Sequence, residues 1–304
     1  TQNTTGGHNT AVGFYAAGSN TTGDYNAAFG YQALDANTTG DYNTAIGTAA
    51  LGANTTASEN VAVGYAAGAL NTTGASNVAI GYEAFDSNTT GSRNTAVGSF
   101  ALDANTTAND NTAVGNHALG ANTTGAGNTA LGKDALARNT TADDNTAVGY
   151  LALDHNTTGA GNVAVGKDAG TAITTGNYNI AIGLDALESV TTAADNVAVG
   201  YYALQANTAA GNTAVGRSAL AANTSGETNA AFGYQSLDAN TTGGSNTVVG
   251  YQAMTDNTTG SSNVAVGKNA LSNNETADYN TAVGFQALFT NTTGASNTAV
   301  GHNA

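Results

Sequence analysis

The chain repeats one short pattern of apolar and polar positions along its whole length. Each unit reads approximately Asn-Thr-Ala-Val-Gly-Tyr-Gln-Ala-Leu-Asp-Ala-Asn-Thr-Thr-Gly-x-x, and we number its positions 1 to 17 from the first Asn. This Asn recurs at eighteen places at intervals of 17 residues, except for one interval of 16 between Asn196 and Asn212. Self-similarity of this kind predicts a repeat architecture in which successive units stack on one another.

The length of the unit decides which secondary structure can form it. Seventeen residues are too few for two helices and a turn, and Asn, Thr, Gly and β-branched residues form helices weakly. Three short extended segments fit instead: Thr-Ala-Val-Gly, Tyr-Gln-Ala-Leu and Asn-Thr-Thr. The sequence therefore predicts an all-β fold, a parallel β-solenoid (β-roll or β-helix) with one 17-residue repeat per coil. About 17 coils would form a rod of roughly 80 Å.

Two columns of the repeat do not vary. Position 5 is Gly in all eighteen units, which indicates a positive φ or a backbone approach too close for any Cβ. Position 1 is always Asn, whose side chain can cap turn amides and bond to the same Asn one coil away. We predict structural ladders whose first members are Asn9, Asn26, Asn43, Asn60, Gly13, Gly30, Gly47 and Gly64.

Positions 3 and 4 bear on assembly. Position 3 is Ala in all units but one, position 4 is a larger apolar residue, and consecutive strand residues point to opposite faces, so both faces are expected to be buried. We predict that Val12, Ile46 and Val63 fill the interior with the Leu34 and Leu51 column. The small column would then pack between copies of the chain in a homo-oligomer, most simply a trimer; its first members are Ala11, Ala28, Ala45 and Ala62. The alternative places Ala in a narrow lumen and Val outward.

Composition and charge exclude some classes of partner. The formal net charge is −15 with six Lys plus Arg, so we expect no nucleic-acid partner, because phosphates need clustered cations. No apolar run approaches the roughly 20 residues that cross a bilayer, and we expect no membrane insertion. The absence of cysteine removes disulfides and thiolate metal sites.

The repeat also sets the expected domain organisation. We predict one continuous solenoid over residues 1–304 with about 17 tandem repeats. Neither end coincides with a repeat boundary, and no atypical capping unit covers the open strand edges. The expectation is a fragment of a longer fibre chain that lacks its caps.

No pattern of catalytic chemistry stands out, and we predict that the chain is not an enzyme and has no catalytic, cofactor-binding or metal-binding residues. Neither a phosphate-binding loop nor a dinucleotide fingerprint occurs. Stacked carboxylates such as Asp86 and Asp103 could recruit Ca²⁺, but solvated charges are the favoured interpretation. The histidines occupy differing repeat positions, so they would not converge on one site; they are His8, His117, His155 and His302.

An aromatic occupies position 6 in nine units and forms a candidate binding surface. Its tyrosines could stack on sugar rings or on a neighbouring fibre, and self-stacking within the chain is the favoured alternative. The possible surface-binding ladder consists of Tyr31, Tyr65, Tyr82, Tyr150, Tyr201, Tyr234 and Tyr251.

The Asn at position 12 begins an Asn-x-Thr/Ser sequon in fifteen units, which suggests a row of glycans. Turn chemistry, in which Asn and Thr side chains bond to the backbone, is the favoured alternative. Ice binding through stacked Thr is weaker, because adjacent Thr38 and Thr39 would point to opposite faces. The possible glycosylation sites are Asn3, Asn20, Asn37, Asn54, Asn71, Asn88, Asn105, Asn122, Asn139, Asn156, Asn223, Asn240, Asn257, Asn274 and Asn291.

Units such as residues 26–34 and 145–153 resemble repeats of bacterial and phage tail-fibre-like proteins. They are also similar to the Ala-Ile-Gly units of trimeric autotransporter adhesin heads, and the resemblance covers essentially the whole chain. It implies a structural shaft or adhesive segment of an extracellular fibre, on a cell surface or a virion. Such a segment would assemble with copies of itself and bind a host-surface protein or glycan. The alternative function is an ice-binding or glycan-binding solenoid that acts through its Thr or Tyr ladder.

Overall fold

The computed structural model describes residues 2–304, in which eighteen β-strands and no helix occur. All of the strand pairings are parallel, and one strand belongs to each repeat, so the chain is an all-β parallel β-solenoid, as predicted. The structure divides into two compact units, the first ending at Leu151 and the second beginning at Ala152. The single continuous domain over residues 1–304 stays a prediction.

Each strand consists of positions 2 to 4 of a repeat. The strands of the first unit are β1 (Thr10–Val12), β2 (Ala27–Phe29), β3 (Thr44–Ile46), β4 (Val61–Val63), β5 (Val78–Ile80), β6 (Thr95–Val97), β7 (Thr112–Val114), β8 (Thr129–Leu131) and β9 (Thr146–Val148). Those of the second unit are β10 (Val163–Val165), β11 (Ile180–Ile182), β12 (Val197–Val199), β13 (Thr213–Val215), β14 (Ala230–Phe232), β15 (Thr247–Val249), β16 (Val264–Val266), β17 (Thr281–Val283) and β18 (Thr298–Val300).

Within each unit, successive strands pair in register, so that every position stacks on the same position of the next coil. In the first unit Ala28 lies opposite Ala45. In the second unit Val197 lies opposite Thr213, and this pair spans the 16-residue interval of the sequence. The missing residue is therefore absorbed in a turn, and the strand register is unchanged.

Hydrogen bonds between coils continue outside the strands. Examples are Gln32 N–H to the Phe14 carbonyl at 2.9 Å and Thr38 N–H to the Thr55 carbonyl at 2.8 Å. The backbone there is nevertheless not extended, because the residues at positions 7, 9 and 17, when they are not Gly, adopt φ between 48° and 63°. The prediction of three extended segments per coil was correct for Thr-Ala-Val and wrong for the other two, which form turns and bends.

The Ala column of position 3 faces the interior, and the larger apolar residues of position 4 do not. This corrects the expectation for positions 3 and 4. Ala28 and Ala45 are fully buried, whereas Val12 and Ile46 are 58% and 41% exposed and Val63 is half-buried. The Leu column is interior as predicted, with Leu34 and Leu51 no more than 2% exposed. The alternative, with Ala in a narrow lumen and Val outward, is the one that the structure adopts.

Side chains from the other walls explain why the small residue points inward. Leu at position 9 and Asn at positions 1 and 12 are buried in nearly every coil, as Leu102, Asn94 and Asn105 illustrate. Because these side chains already occupy the interior of a 17-residue coil, a methyl group completes the packing at position 3 and the larger residue turns outward. The Ala column is thus satisfied within one chain and needs no neighbouring copy.

Glycine at position 5 follows the strand directly and has φ between 131° and 147° in all eighteen coils that residues 2–304 contain. A Cβ at Gly233 would lie 2.7 Å from the carbonyl carbon of Gly250, which is the same position one coil further on. The positive φ excludes a side chain here, and the close approach adds to the cost of one. Position 15 differs, because Ala57 and Ala108 replace its usual Gly.

We expect Gly233→Ala and Gly243→Ala, at positions 5 and 15 of one coil, to differ strongly in stability. The first substitution places a Cβ against the next backbone at a positive φ and should lower the free energy of unfolding by about 3 kcal/mol. The second also places a Cβ against a backbone carbonyl of the next coil, that of Gly260, but its φ is not positive. Ala57 shows that a coil accommodates Ala at this position, so the substitution should cost less than about 1 kcal/mol. Urea denaturation followed by circular dichroism measures both, and equal losses would contradict this account of position 5.

Candidate functional site

Two columns of buried asparagine run through the interior. At position 1, the backbone N–H of Asn43 donates to Oδ1 of Asn26 at 2.9 Å, and the Asn43 Nδ2 donates to the Ala57 carbonyl at 2.9 Å. At position 12, Nδ2 of Asn54 donates to Oδ1 of Asn37 at 2.9 Å and to the same Ala57 carbonyl at 3.0 Å. Each amide column is thus bonded along its own length, and both columns donate to the carbonyl at position 15, which gives these buried polar groups partners.

This geometry bears directly on the predicted glycosylation sites. Thirteen of the fifteen Asn residues, all except Asn3 and Asn291, are buried. In Asn37, Asn105 and Asn240 the Nδ2 that a glycan would be attached to donates two hydrogen bonds inside the coil. A glycan at such a position and the folded coil exclude each other, and the contacts are those of the turn chemistry that was the favoured alternative.

The Thr hydroxyl at position 13 also donates a hydrogen bond to the backbone. The Oγ1 of Thr38 donates to the Thr55 carbonyl at 3.0 Å, and Thr241 does the same to Thr258 at 2.9 Å. Thr39, at position 14, is exposed. Because the position 13 hydroxyls bond to the chain itself, a coil presents at most the position 14 hydroxyl, and not the paired row that ice binding would use.

The outward side of the strands presents an uncharged surface that is apolar at position 4 in every unit. Positions 2 and 4 flank the buried Ala, and we call their side chains the strand face. Large apolar residues at position 4 are exposed in both units; examples are Ile80 at 38%, Leu131 at 47% and Val249 at 40%. Exposed apolar surface that continues from coil to coil is typical of an interaction surface.

Charge is distributed away from this surface. None of the twenty-one acidic residues occupies position 2, 4 or 6, and positions 2 and 4 carry no charged residue of either sign. Four of the six cations lie at position 6. In a chain of net charge −15, the strand face and the column beside it are therefore free of negative charge.

The aromatic side chains of position 6 stack on one another. Ring centroids of Tyr65 and Tyr82 are 5.3 Å apart, and those of Tyr234 and Tyr251 are 5.2 Å apart, with nearly parallel planes. Tyr31 stacks in the same way on Phe14, at 5.9 Å. In these pairs, one face of each ring is therefore covered by the ring of the neighbouring coil and cannot stack on a sugar.

Cations extend the same ladder. The Arg217 guanidinium lies between the rings of Tyr201 and Tyr234, at 5.4 and 5.8 Å from their centroids. The Lys268 ammonium lies between Tyr251 and Phe285, at 5.5 and 6.0 Å. In the first unit, Lys133 lies 5.7 Å from the Tyr150 ring. These distances lie within the range of a cation–π interaction.

A role for position 16 was missed by sequence reasoning. Its side-chain oxygen accepts the backbone N–H of position 16 one coil earlier: Asp41 from Asp24, Asn109 from Ser92 and Asp278 from Ser261, each at 2.7 Å. Asp, Ser and Asn alternate with Ala and Gly at this position. This preference for short side chains with an acceptor oxygen is the sequence feature from which the role could have been predicted.

Each histidine has its own local partner in the structure. His8 and His302 stack on Tyr25 and Phe285, with centroids 4.5 and 5.0 Å apart. His117 packs beside Phe100, and His155 Nδ1 lies 2.9 Å from the Thr171 carbonyl. Among residues 2–304, no three His, Cys, Asp or Glu side chains form a group that could hold a metal ion.

Carboxylates at position 10 are partly buried. Burial raises the pKa of Asp103 above its ordinary value of 3.8, and the charge of Asp86 one coil away contributes. Burial likewise raises the pKa of Asp86 and of Asp238. Asp110, in contrast, is exposed and accepts two hydrogen bonds from Arg93, which lower its pKa.

Comparison of the chain with protein-family models and with curated proteins finds no match. Within the described part of the chain, no helix has the length and hydropathy needed to span a membrane.

We expect Asn105→Ala to lower the free energy of unfolding by about 2–3 kcal/mol, because it removes a buried amide from the ladder and leaves a void. Thr107→Ala, at an exposed position, should cost less than about 0.5 kcal/mol. Both substitutions abolish the same sequon. Equal destabilisation of the two variants, produced in a host that glycosylates sequons, would therefore favour a stabilising glycan over the amide ladder.

We expect Asp103→Asn to raise the melting temperature at pH 7 and to leave it unchanged near pH 3. A carboxyl whose pKa is raised by folding stabilises the protein below its unfolded pKa, and that contribution is lost as the pH rises through the folded value. Asp110→Asn should act in the opposite direction, since its pKa is lowered. Thermal melts from pH 3 to pH 7 check both signs, and a loss of stability in Asp103→Asn at pH 7 would contradict the assignment.

Proposed function

We propose that this chain is a non-enzymatic structural and adhesive segment of an extracellular fibre, on a cell surface or a virion, formed by several copies of itself. The observation that carries the proposal is the strand face, which exposes large apolar side chains such as Ile80 and Leu131 in coil after coil. An interior of Ala, Leu and amide columns that repeats in each coil suits a structural role, since each coil packs on its neighbours alone. The resemblance of the repeats to those of tail-fibre-like proteins and adhesin heads supports the extracellular setting.

The strand face replaces the Ala column as the basis for assembly. Monomeric proteins rarely expose continuous apolar surface beyond a few hundred Å². Two copies that each carry a net charge of −15 repel one another everywhere except where acidic residues are missing. The strand face carries no charge, and its position 4 is apolar in every unit, while position 2 is Thr in ten of the eighteen units. Because the coils of every copy have the same spacing, two copies can pack coil against coil along the length of each unit.

We expect native mass spectrometry of the chain at micromolar concentration to give a defined homo-oligomer, with a trimer as the simplest case. The double variant Ile80→Lys/Leu131→Lys places two charges on the strand face. It should weaken self-association by about 100-fold, because an unpaired ammonium would be buried between copies.

The matched control is Thr90→Lys/Thr141→Lys, which adds the same charges to exposed position 14 of the same two coils. It should leave the oligomer intact. A wild-type chain that stays monomeric, or equal dissociation of both variants, would exclude the strand face as the contact between copies.

A further inference from the structure

The second unit carries a surface that the assembly of copies does not explain. From Tyr201 to Asn303, positions 6 and 7 contain no acidic residue. The acidic residues of these coils lie at positions 10, 11, 13 and 16 instead. We call the side chains at positions 6 and 7 from Tyr201 to Gln286 the cation–aromatic face; it includes Arg217 and Lys268, which are both exposed.

Two other cations of the same column provide an internal comparison. Lys133 and Lys167 are each followed by an aspartate at position 7, and their ammonium groups lie 3.5 and 3.0 Å from Asp134 and Asp168. Arg217 and Lys268 are followed by Ser218 and Asn269. Among the described residues, no carboxylate lies within 4.0 Å of either cation. Neither cation therefore forms an ion pair within the described part of the chain.

The aromatic neighbours hold these two cations in place. Each cation lies between two rings, so its aliphatic stem is confined and its charged end is presented at the surface. Arg217 and Lys268 are three coils apart, a separation of roughly 14 Å. Little side-chain freedom remains to be lost when an anion binds, which favours binding by a preorganised site.

Position 7 adds hydrogen-bonding groups between the two cations. Gln235 and Gln252 lie in the two intervening coils, and Nε2 of Gln252 donates to Oε1 of Gln235 at 2.9 Å. The two amides retain further donors and acceptors and are only half-buried. The face therefore offers two fixed cations with a short amide row between them, which is suited to an extended, hydroxylated anion.

We propose that the cation–aromatic face binds a linear acidic polysaccharide, that is, a chain of sugars that carry carboxylates. Sugar carboxylates pair with Arg217 and Lys268, and sugar hydroxyls bond to the amides of Gln235 and Gln252. A polymer with a carboxylate on each sugar can place one at each cation. This inference rests on the adhesive part of the proposed function and names its ligand class.

The same geometry disfavours the two nearest alternatives. Single-stranded nucleic acid is bound by stacking bases on free aromatic faces, but the facing sides of Tyr234 and Tyr251 are occupied by each other. A neutral polysaccharide would leave the two cations without a partner. A ligand that pairs with both cations and bonds to the two Gln amides is anionic and rich in hydroxyls.

Isothermal titration calorimetry with an oligogalacturonate, and with a neutral glucan oligomer of equal length, tests the proposal. The wild-type chain should bind the oligogalacturonate and not the glucan, and binding should weaken as salt is raised. Arg217→Gln/Lys268→Gln should weaken binding by about tenfold or more. The control Lys133→Gln/Lys167→Gln removes the same charge and should change the affinity by less than about threefold.

Several outcomes would overturn the proposal. They are no binding of oligogalacturonate at millimolar concentration, equal binding of the glucan, equal losses in the two double variants, or equally tight binding of a single-stranded DNA of the same charge. Circular dichroism melts of both variants check that the solenoid is intact. Native mass spectra of the same samples separate the two proposals, since oligomers that persist without ligand binding would leave the fibre assignment in place and remove this one.

Discussion

Hydrogen bonding between equivalent residues of neighbouring coils is the constraint on which this structure depends. Backbone amides, both Asn columns and the Thr hydroxyls of position 13 all bond to a residue one coil away. Each such bond requires that the two coils stay in register, and the bonds act together, because a shift of one residue would break all of them. An interior held in this way can be filled with Ala, Leu and amides.

The same register governs the surface. Side chains in one column lie close enough to stack, so rings pair with rings and cations settle between rings, as around Arg217. Such contacts stabilise neighbouring coils, but they also use the ring faces. What remains for a partner is the apolar strand face, the aromatic edges and those cations, Arg217 and Lys268, that the chain leaves without an acid. The surface chemistry is therefore a product of the stacking.

The period and the residue types were enough to predict the solenoid, the parallel strand at positions 2 to 4 and a buried Leu column. They could not decide which side of Thr-Ala-Val faces inward, because Ala28 and Ile46 are both apolar and alternation alone is symmetric. The answer depends on Leu and Asn side chains from distant walls of the coil. The αL turns were likewise missed, since residues such as Gln32 and Leu34 rarely adopt that conformation. For the candidate surface, the Tyr column was visible in the sequence, but the engagement of its ring faces was not.

The shortened coil between Asn196 and Asn212 shows where the fold accepts a change of length. One residue is absent, yet Val197 still pairs with Thr213, and Nδ2 of Asn207 finds the Ala209 carbonyl at 2.7 Å. Variation is thus confined to one corner, while the rest of the coil keeps its partners. A peptide grafted at that corner would leave the strands undisturbed. Repeated in successive coils, such grafts would be displayed about every 4.8 Å, which makes the solenoid a scaffold for dense, evenly spaced presentation of foreign sequences.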